Sequence, residues 1–181
     1  MNEIADRYRT LADAFQAKID RVGPDSWANP TPCEEWDARG LVAHVVDVHA
    51  MMLRPLDRQL DGEPSEDPRG AFKAARTEVE AVLDDPALAG FEYDGLLGRT
   101  TVGTTIDRFL GFDLVVHGWD LARATGQDET MDPAEVERIW GMAESLGDNL
   151  RRSGVCGPEV PVPADAPLQD RLLGVLGRDP G

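Results

Sequence analysis

The segment TIDRFLGFDLVVHGWDLARATG, residues 105–126, decides the fold of this chain of 181 residues. Its apolar residues recur at intervals of about three, four and seven positions, which is the spacing of one face of an α-helix. They are Ile106, Leu110, Leu114, Leu121 and Ala124. Gly126 follows the pattern and is a typical residue for a helix end. We therefore predict a helix over about 104–125 that turns this apolar face towards a core.

Three ionisable residues lie on or beside this apolar face: Asp113, His117 and Asp120. Asp113 and His117 are four positions apart, so on a helix their side chains lie one turn from each other. A buried charge must be paired, neutralised or bound to a metal, because burying it alone costs several kcal/mol. A carboxylate and an imidazole one turn apart form half of a divalent-metal site. The simpler interpretation is a hydrogen-bonded pair without a metal.

The rest of the chain is mostly helical in pattern. Amphipathic spacing predicts further helices over about 2–22, 37–60, 71–84, 132–150 and 167–176. Pro55 is expected to kink or end the second of these early. Residues 61–70 and the Pro- and Gly-rich tail from about 153 are predicted loops, and residues 91–105 a loop or a small hairpin. We predict an all-α four-helix bundle with short extra helices, in a single domain over residues 1–181.

The composition argues against several classes of partner. The chain has 34 Asp and Glu residues against 18 Lys and Arg residues, a net charge of −16, and such a surface repels nucleic-acid phosphates and anionic lipids. No apolar run approaches the roughly 18 residues of a membrane span. The first ten residues, MNEIADRYRT, carry charges where a signal peptide needs apolar residues. We expect a cytoplasmic protein that binds neither nucleic acid nor membrane.

The second predicted helix offers a further metal ligand. It contains two of the three histidines, His44 and His49, which are five positions apart and therefore point in different directions. They do not easily bind one metal together, and the periodicity alone does not choose between them. Asp47, Asp120 and His49 are candidates for groups that orient ligand histidines, although each is more simply explained as a surface or packing residue.

Three other residues near these motifs have simple interpretations. With only two cysteines in the chain, a disulfide framework is not expected, and we expect Cys33 to be a buried small apolar residue. Trp36 and Trp119 are predicted to be packing residues rather than platforms for a substrate. The sequence contains no P-loop, nucleophile elbow or dinucleotide motif, so its histidines and carboxylates carry the main chemical signal.

Three motifs carry a family resemblance. TPCEEWDARGLVAHVV, residues 31–46, and DLVVHGWDLARATG, residues 113–126, resemble the actinobacterial branch of the DinB-like superfamily. This branch includes the N-terminal domain of mycothiol-dependent maleylpyruvate isomerase. The segment GPEVPVPADAPLQDRLLGVLGRDPG, residues 157–181, is also similar to that branch. Together the three motifs occur in the order of the family and cover nearly the whole chain.

The resemblance implies a DinB-like four-helix bundle with a divalent metal near one end. The family's histidine ligand on the second helix corresponds to His44 rather than His49, and its pair of ligands four positions apart corresponds to Asp113 and His117. Many relatives have histidine at the first position of that pair, and the isomerase has glutamate, so Asp113 is a shorter carboxylate. Zinc is the metal expected first, with nickel, iron and manganese as alternatives.

Relatives in this superfamily often use the metal to activate a low-molecular-weight thiol. The resemblance therefore implies a thiol-dependent transferase or isomerase that acts on a small molecule, with mycothiol as the candidate cosubstrate. A metal-dependent hydrolase that uses bound water is a related alternative. An alternative of another class is a non-catalytic bundle whose helices the metal joins, or a small-molecule binding module. A fourth protein ligand would favour a metal that only joins helices, because structural zinc sites have four protein ligands and no open position. Relatives occur as monomers and dimers, so a homodimer is an open expectation.

Overall fold

The structure is a computed structural model that describes residues 2–60, 66–147, 149–152 and 156–181. Its first half contains the helices α1 (Glu3–Arg21), α2 (Ala38–Leu53), α3 (Pro68–Asp84) and α4 (Pro86–Ala89), with 3₁₀ turns at Pro24–Ser26 and Arg54–Leu56. An antiparallel hairpin of β1 (Glu92–Gly95) and β2 (Gly98–Thr101) follows. The chain continues through α5 (Val102–Thr105), a π-helical turn (Ile106–Leu110), α6 (Gly111–Thr125), α7 (Pro133–Leu146), α8 (Asn149–Arg152) and α9 (Leu168–Val175).

The predicted fold class, all-α with a small hairpin, is confirmed. The predicted helix over 104–125 corresponds to α5, the π-helical turn and α6, which follow one another directly and end at Gly126 with a left-handed φ of 69°. The start predicted at Asp132 is also confirmed, because its side chain caps the first turn of α7. Along the parts of the chain that the structure describes, each helix is too short or too polar to cross a bilayer.

Several predicted helix boundaries were wrong, each for a local reason. α2 ends at Leu53 and not near residue 60, which confirms the expectation that Pro55 ends it early, because proline lacks the amide hydrogen that a continuing helix needs. α3 begins at Pro68, three residues early, because Asp67 caps it and proline suits the first helical position. α7 ends at Leu146, where Gly147 takes a φ of 48°. The predicted loop residues 61–65 and tail residues 153–155 lie outside the described residues, as does residue 148.

The chain divides into two compact units, Met1–Asp128 and Glu129–Gly181, and the predicted single domain stays a prediction. In the first unit α1 and α2 each pack against both α3 and α6, which gives the predicted arrangement of four helices. Its core includes the fully buried Phe15 and Phe72, whose rings meet edge to face with centroids 4.9 Å apart. In the second unit α7 packs against α9.

A contact between α1 and the π-helical turn fixes the start of α6. Arg7 Nη1 donates to the Asp107 carbonyl oxygen at 2.8 Å and pairs with the Asp107 carboxylate at 2.7 Å. Gly111 permits this approach, since a Cβ there would lie 2.5 Å from Arg7 Nη1. Such π-helical turns are frequent at functional sites, and here the turn ends at Leu110, three positions before Asp113.

His49 is a satisfied core residue and lies outside the metal-ligating groups found among the described residues. Its Nδ1 is 2.7 Å from the Val45 carbonyl oxygen, and its Nε2 is 3.0 Å from the Tyr8 hydroxyl. A neutral ring satisfies both contacts, with Nδ1–H donating to Val45 and Nε2 accepting from Tyr8. Burial lowers the pKa of His49 to about 4. The structure therefore gives His49 a packing role, and the suggestion that it orients a ligand histidine was wrong.

This buried histidine makes stability depend on pH. The unfolded chain binds a proton on His49 below about pH 6.5, whereas the folded chain does so only near pH 4. We therefore expect the contribution of His49 to the free energy of unfolding to be complete above pH 6.5 and to fall by up to about 3 kcal/mol as the pH drops towards 4. Urea denaturation of wild type and His49→Gln across this range should show a smaller pH dependence in the variant. Equal dependence in both proteins would contradict the assignment.

Candidate metal centre

The structure brings His44 of α2 together with Asp113 and His117 of α6. The two oxygens of Asp113 face different rings: Oδ2 lies 3.9 Å from His44 Nε2, and Oδ1 lies 3.9 Å from His117 Nε2. One possible ligand atom from each residue lies within 4.8 Å of those from the other two. Both histidine rings thus turn the same nitrogen towards one carboxylate, which is the arrangement that the predicted ligand set requires.

Asp120 determines which nitrogen of His117 is available. Its Oδ2 lies 2.9 Å from His117 Nδ1, and the carboxylate is fully buried. Because a carboxylate accepts hydrogen bonds, Nδ1 carries a proton, and in the neutral ring the Nε2 lone pair is the one that can bind a metal. A carboxylate that orients a ligand histidine through its other nitrogen is common at metal sites. Three residues were candidates for orienting a ligand histidine, and the structure places Asp120 against His117 Nδ1.

A tight loop before α2 supports both histidines. Thr31 Oγ1 lies 2.9 Å from the Cys33 carbonyl oxygen and 2.8 Å from that of Trp36, and the Trp36 amide donates to the Cys33 carbonyl at 2.9 Å. The Trp36 ring stacks on His44 with centroids 4.1 Å apart and an interplanar angle of 19°. The Cys33 thiol lies 3.4 Å from Asp120 Oδ2. One loop therefore contacts both His44 and His117 directly, and it also contacts Asp120, the partner of His117.

The expectations for this loop are borne out in part. Cys33 packs against the apolar core as expected, but it is only half-buried and its thiol is hydrogen-bonded to a buried carboxylate. Trp36 is partly buried against the core, as expected of a packing residue, and its ring face also covers the candidate ligand His44. Trp119 is buried, with the Arg123 guanidinium 5.0 Å from its ring centroid, as expected of a packing residue.

The charges around the site give the two histidines different pKa values. Burial and the neighbouring His117 lower the pKa of His44, although the charges of Asp47 and Glu35 raise it in part. Burial alone would lower the pKa of His117, but hydrogen bonds to Asp120 and Cys33 and the charge of Asp113 raise it to about 9. Without a metal, His117 is therefore protonated at neutral pH and His44 is neutral. Asp47 is exposed and acts on His44 through its charge.

The donor set fits a divalent metal. Bonds of about 2.0–2.2 Å would hold neighbouring ligand atoms roughly 3.4 Å apart in a tetrahedral site, and the two observed separations of 3.9 Å are only slightly wider. Imidazole and carboxylate together suit zinc, iron, nickel and manganese. Among the residues that the structure describes, no fourth side chain joins this set. The predicted ligands are thus close enough for one ion, and three ligands leave a coordination position for an external one.

Metal affinity should depend on pH through His117. A metal at Nε2 must displace the proton that the raised pKa keeps on the ring. We expect the association constant for Zn²⁺ to rise about tenfold per pH unit from neutrality to about pH 9 and then to level off, since one proton is released for each ion bound. Competition with a chromophoric chelator at several pH values measures this slope. An association constant independent of pH in this range would contradict the assignment.

Comparison with known proteins adds three findings. Residues 8–92 match the family described as the mycothiol maleylpyruvate isomerase N-terminal domain. Two proteins from Mycobacterium tuberculosis, strains CDC 1551 / Oshkosh and ATCC 25618 / H37Rv, are both described as uncharacterized. Each is 32% identical over 176 residues, which cover 94% of this chain and 95% of the relative. No solved structure matches the chain. The family match includes His44, and the similarity to the mycobacterial proteins extends over nearly the whole chain.

Proposed function

The chain belongs to the family of the mycothiol maleylpyruvate isomerase N-terminal domain, and on that premise we propose that it is a metalloenzyme, a thiol-dependent transferase or isomerase. The observation that carries the proposal is the convergence of His44 Nε2, the Asp113 carboxylate and His117 Nε2 on one point between α2 and α6. These three groups would hold the metal, with zinc expected first.

A divalent metal in this position would lower the pKa of a bound thiol or water and so supply a nucleophile at neutral pH. The chain's own residues prepare the site for it. Asp113 lies between the two imidazoles and provides the negative charge that offsets the cation. Asp120 holds the Nδ1 proton of His117, which keeps Nε2 directed at the metal position.

External molecules would approach the site from the His44 side. The side chain of His44 is 29% exposed, whereas those of Asp113 and His117 are 13% and 8% exposed. Trp36 stacks on one face of the His44 ring and keeps water from that face. The remaining exposed edge of His44 therefore marks the direction from which a thiol and its small-molecule partner would enter.

The number of ligands supports a reactive site over a structural one. Structural zinc sites have four protein ligands, whereas catalytic sites have three and leave a position for water or substrate. The described residues supply three ligands to this set. A metal that only joined α2 to α6 would be expected to have four protein ligands.

The family description supports a thiol as the external ligand, with mycothiol as the first candidate. The test uses protein loaded with Co²⁺, whose visible absorption reports its ligands. Addition of mycothiol should produce a thiolate-to-metal charge-transfer band, and the S-methylated thiol, which has no ionisable group on sulfur, should not. Asp113→Ala should show no band with either compound.

A metal-loaded protein whose spectrum does not change with excess thiol would overturn the thiol-dependent function. If that same protein hydrolysed ester or amide substrates, and Asp113→Ala did not, the hydrolase interpretation would replace it. A thiol band without turnover of an electrophilic substrate would instead favour a small-molecule binding module. The three outcomes therefore separate the three functions.

A further inference from the structure

We propose that Cys33, His117 and Asp120 form a second metal site, selective for soft cations such as Cd²⁺ or Cu⁺, on the Nδ1 edge of the His117 ring. The first site uses Nε2 of the same ring. This second donor set contains sulfur, whereas the first contains only nitrogen and oxygen. The two sites therefore differ in the class of ion that they prefer, because thiolates select soft metals.

The three donors of the second set are already close together. Asp120 Oδ2 lies 2.9 Å from His117 Nδ1 and 3.4 Å from Cys33 Sγ. One possible ligand atom from each residue lies within 4.8 Å of those from the other two. The 3.4 Å separation matches the distance between neighbouring ligands of a tetrahedral ion with bonds of about 2.0–2.3 Å, whereas the 2.9 Å separation is shorter by about half an ångström, so His117 and Asp120 must move slightly apart when an ion binds.

The scaffold holds these donors in place before any ion binds. Asp120 and His117 are both buried on α6, three positions apart. The Cys33 backbone is fixed on both sides, because its amide donates to Thr31 Oγ1 at 3.2 Å and its carbonyl accepts from Trp36 N at 2.9 Å. Cys33 itself is only half-buried, which gives an ion a path to the sulfur.

Binding exchanges protons for the ion. The thiol proton of Cys33 and the Nδ1 proton of His117 leave to solvent, and the cation takes their place between sulfur, nitrogen and the Asp120 carboxylate. No oxidant or reductant is needed for Cd²⁺, which binds without a change of oxidation state. The ion thus replaces the hydrogen bonds that join the three residues in its absence.

The two sites are mutually exclusive at neutral pH. A neutral imidazole has one lone pair, so an ion on Nδ1 leaves the proton on Nε2, where it blocks the first site. This competition rests on the proposed function, because it requires a metal at His44, Asp113 and His117. The existence of the second site does not require it. A soft cation would therefore displace the ion of the first site and stop its chemistry.

The test is a Cd²⁺ titration followed by ultraviolet thiolate-to-metal absorption, with bound metal measured by elemental analysis. The chain has only two cysteines, so Cys156→Ser is a matched control for Cys33→Ser. Wild type, Cys156→Ser and Asp113→Ala should each bind about one equivalent of Cd²⁺ with a thiolate band. Cys33→Ser should lose the band and weaken Cd²⁺ binding by more than about 100-fold. A residue that only hydrogen-bonds to a metal ligand would cause a smaller loss.

Each result is decisive. A thiolate band that persists in Asp113→Ala and disappears in Cys33→Ser supports the second site, whether or not the first site exists. Cd²⁺ bound by wild type without a thiolate band, no Cd²⁺ bound at all, or a band that survives in Cys33→Ser would overturn it. Failure of the first site appears separately, as Zn²⁺ binding that Asp113→Ala does not change. In protein loaded with one equivalent of Co²⁺, Cd²⁺ should release Co²⁺ in proportion to the band, and retention of Co²⁺ would overturn the exclusion.

Discussion

Replacing Asp113 with alanine is expected to weaken Zn²⁺ binding by more than about 100-fold. This loss is larger than that expected for a residue that only hydrogen-bonds to a metal ligand. Asp113 supplies the only carboxylate among the three candidate ligands, and its two oxygens lie 3.9 Å from His44 Nε2 and His117 Nε2. Removal of this group leaves two imidazoles and takes away the negative charge between them. Competition with a chromophoric chelator at pH 8 measures the change.

Two further variants make this prediction specific. Asp113→Glu keeps the carboxylate, and its affinity for Zn²⁺ should be within about tenfold of that of wild type. Removal of a residue that hydrogen-bonds to a metal ligand causes a larger loss. Glu78→Ala removes a carboxylate from α3, outside the donor set, and should leave the affinity unchanged. Circular dichroism and thermal denaturation establish that each variant is folded. A folded Asp113→Ala protein with the affinity of wild type would remove Asp113 from the ligand set.

Replacing Asp120 with asparagine is expected to weaken Zn²⁺ binding by about 10- to 100-fold, although Asp120 is not a ligand of this site. Asp120 accepts the Nδ1–H bond of His117 at 2.9 Å and is fully buried. The amide can still accept that bond, but without a charge it makes His117 Nε2 a weaker donor to the metal. Because Asp120 also raises the pKa of His117, the variant should reach its limiting affinity well below pH 9.

The shift of the pH profile separates this positioning function from a general loss of structure. A variant that is merely destabilised would lose affinity at every pH and keep the shape of the profile. Asp47→Asn is the matched control, because Asp47 is exposed and acts on His44 through charge alone. A folded Asp120→Asn protein with the affinity and pH profile of wild type would contradict the function assigned to Asp120.

The helical part of the site was predictable because helix geometry relates sequence spacing to direction. Asp113 and His117 lie one turn apart on a recognisable apolar face, and Asp120 follows at the next turn. The choice between His44 and His49 was not available from periodicity and depended on the family resemblance. The structure supports that choice, since His44 faces Asp113 while His49 is bonded to Tyr8 and Val45.

The loop contributions to the site were missed. Cys33 and Asp120 are 87 positions apart in sequence, so their contact depends on how the loop before α2 packs on α6. Three prolines and one glycine interrupt any regular spacing in that loop, so no periodicity indicates where the side chain of Cys33 or Trp36 points. The π-helical turn was missed for a similar reason, because its contact with Arg7 spans 100 positions. Local pattern predicted helices, while tertiary contacts placed these residues.

The central claim is that this bundle holds a divalent metal between α2 and α6. The most direct measurement is the metal content of purified, tag-free protein by elemental analysis, together with that of Asp113→Ala. The account predicts close to one equivalent of a divalent metal in wild type and a marked loss in the variant. Wild type without metal, even after incubation with zinc, nickel, manganese and anaerobic iron, would contradict it.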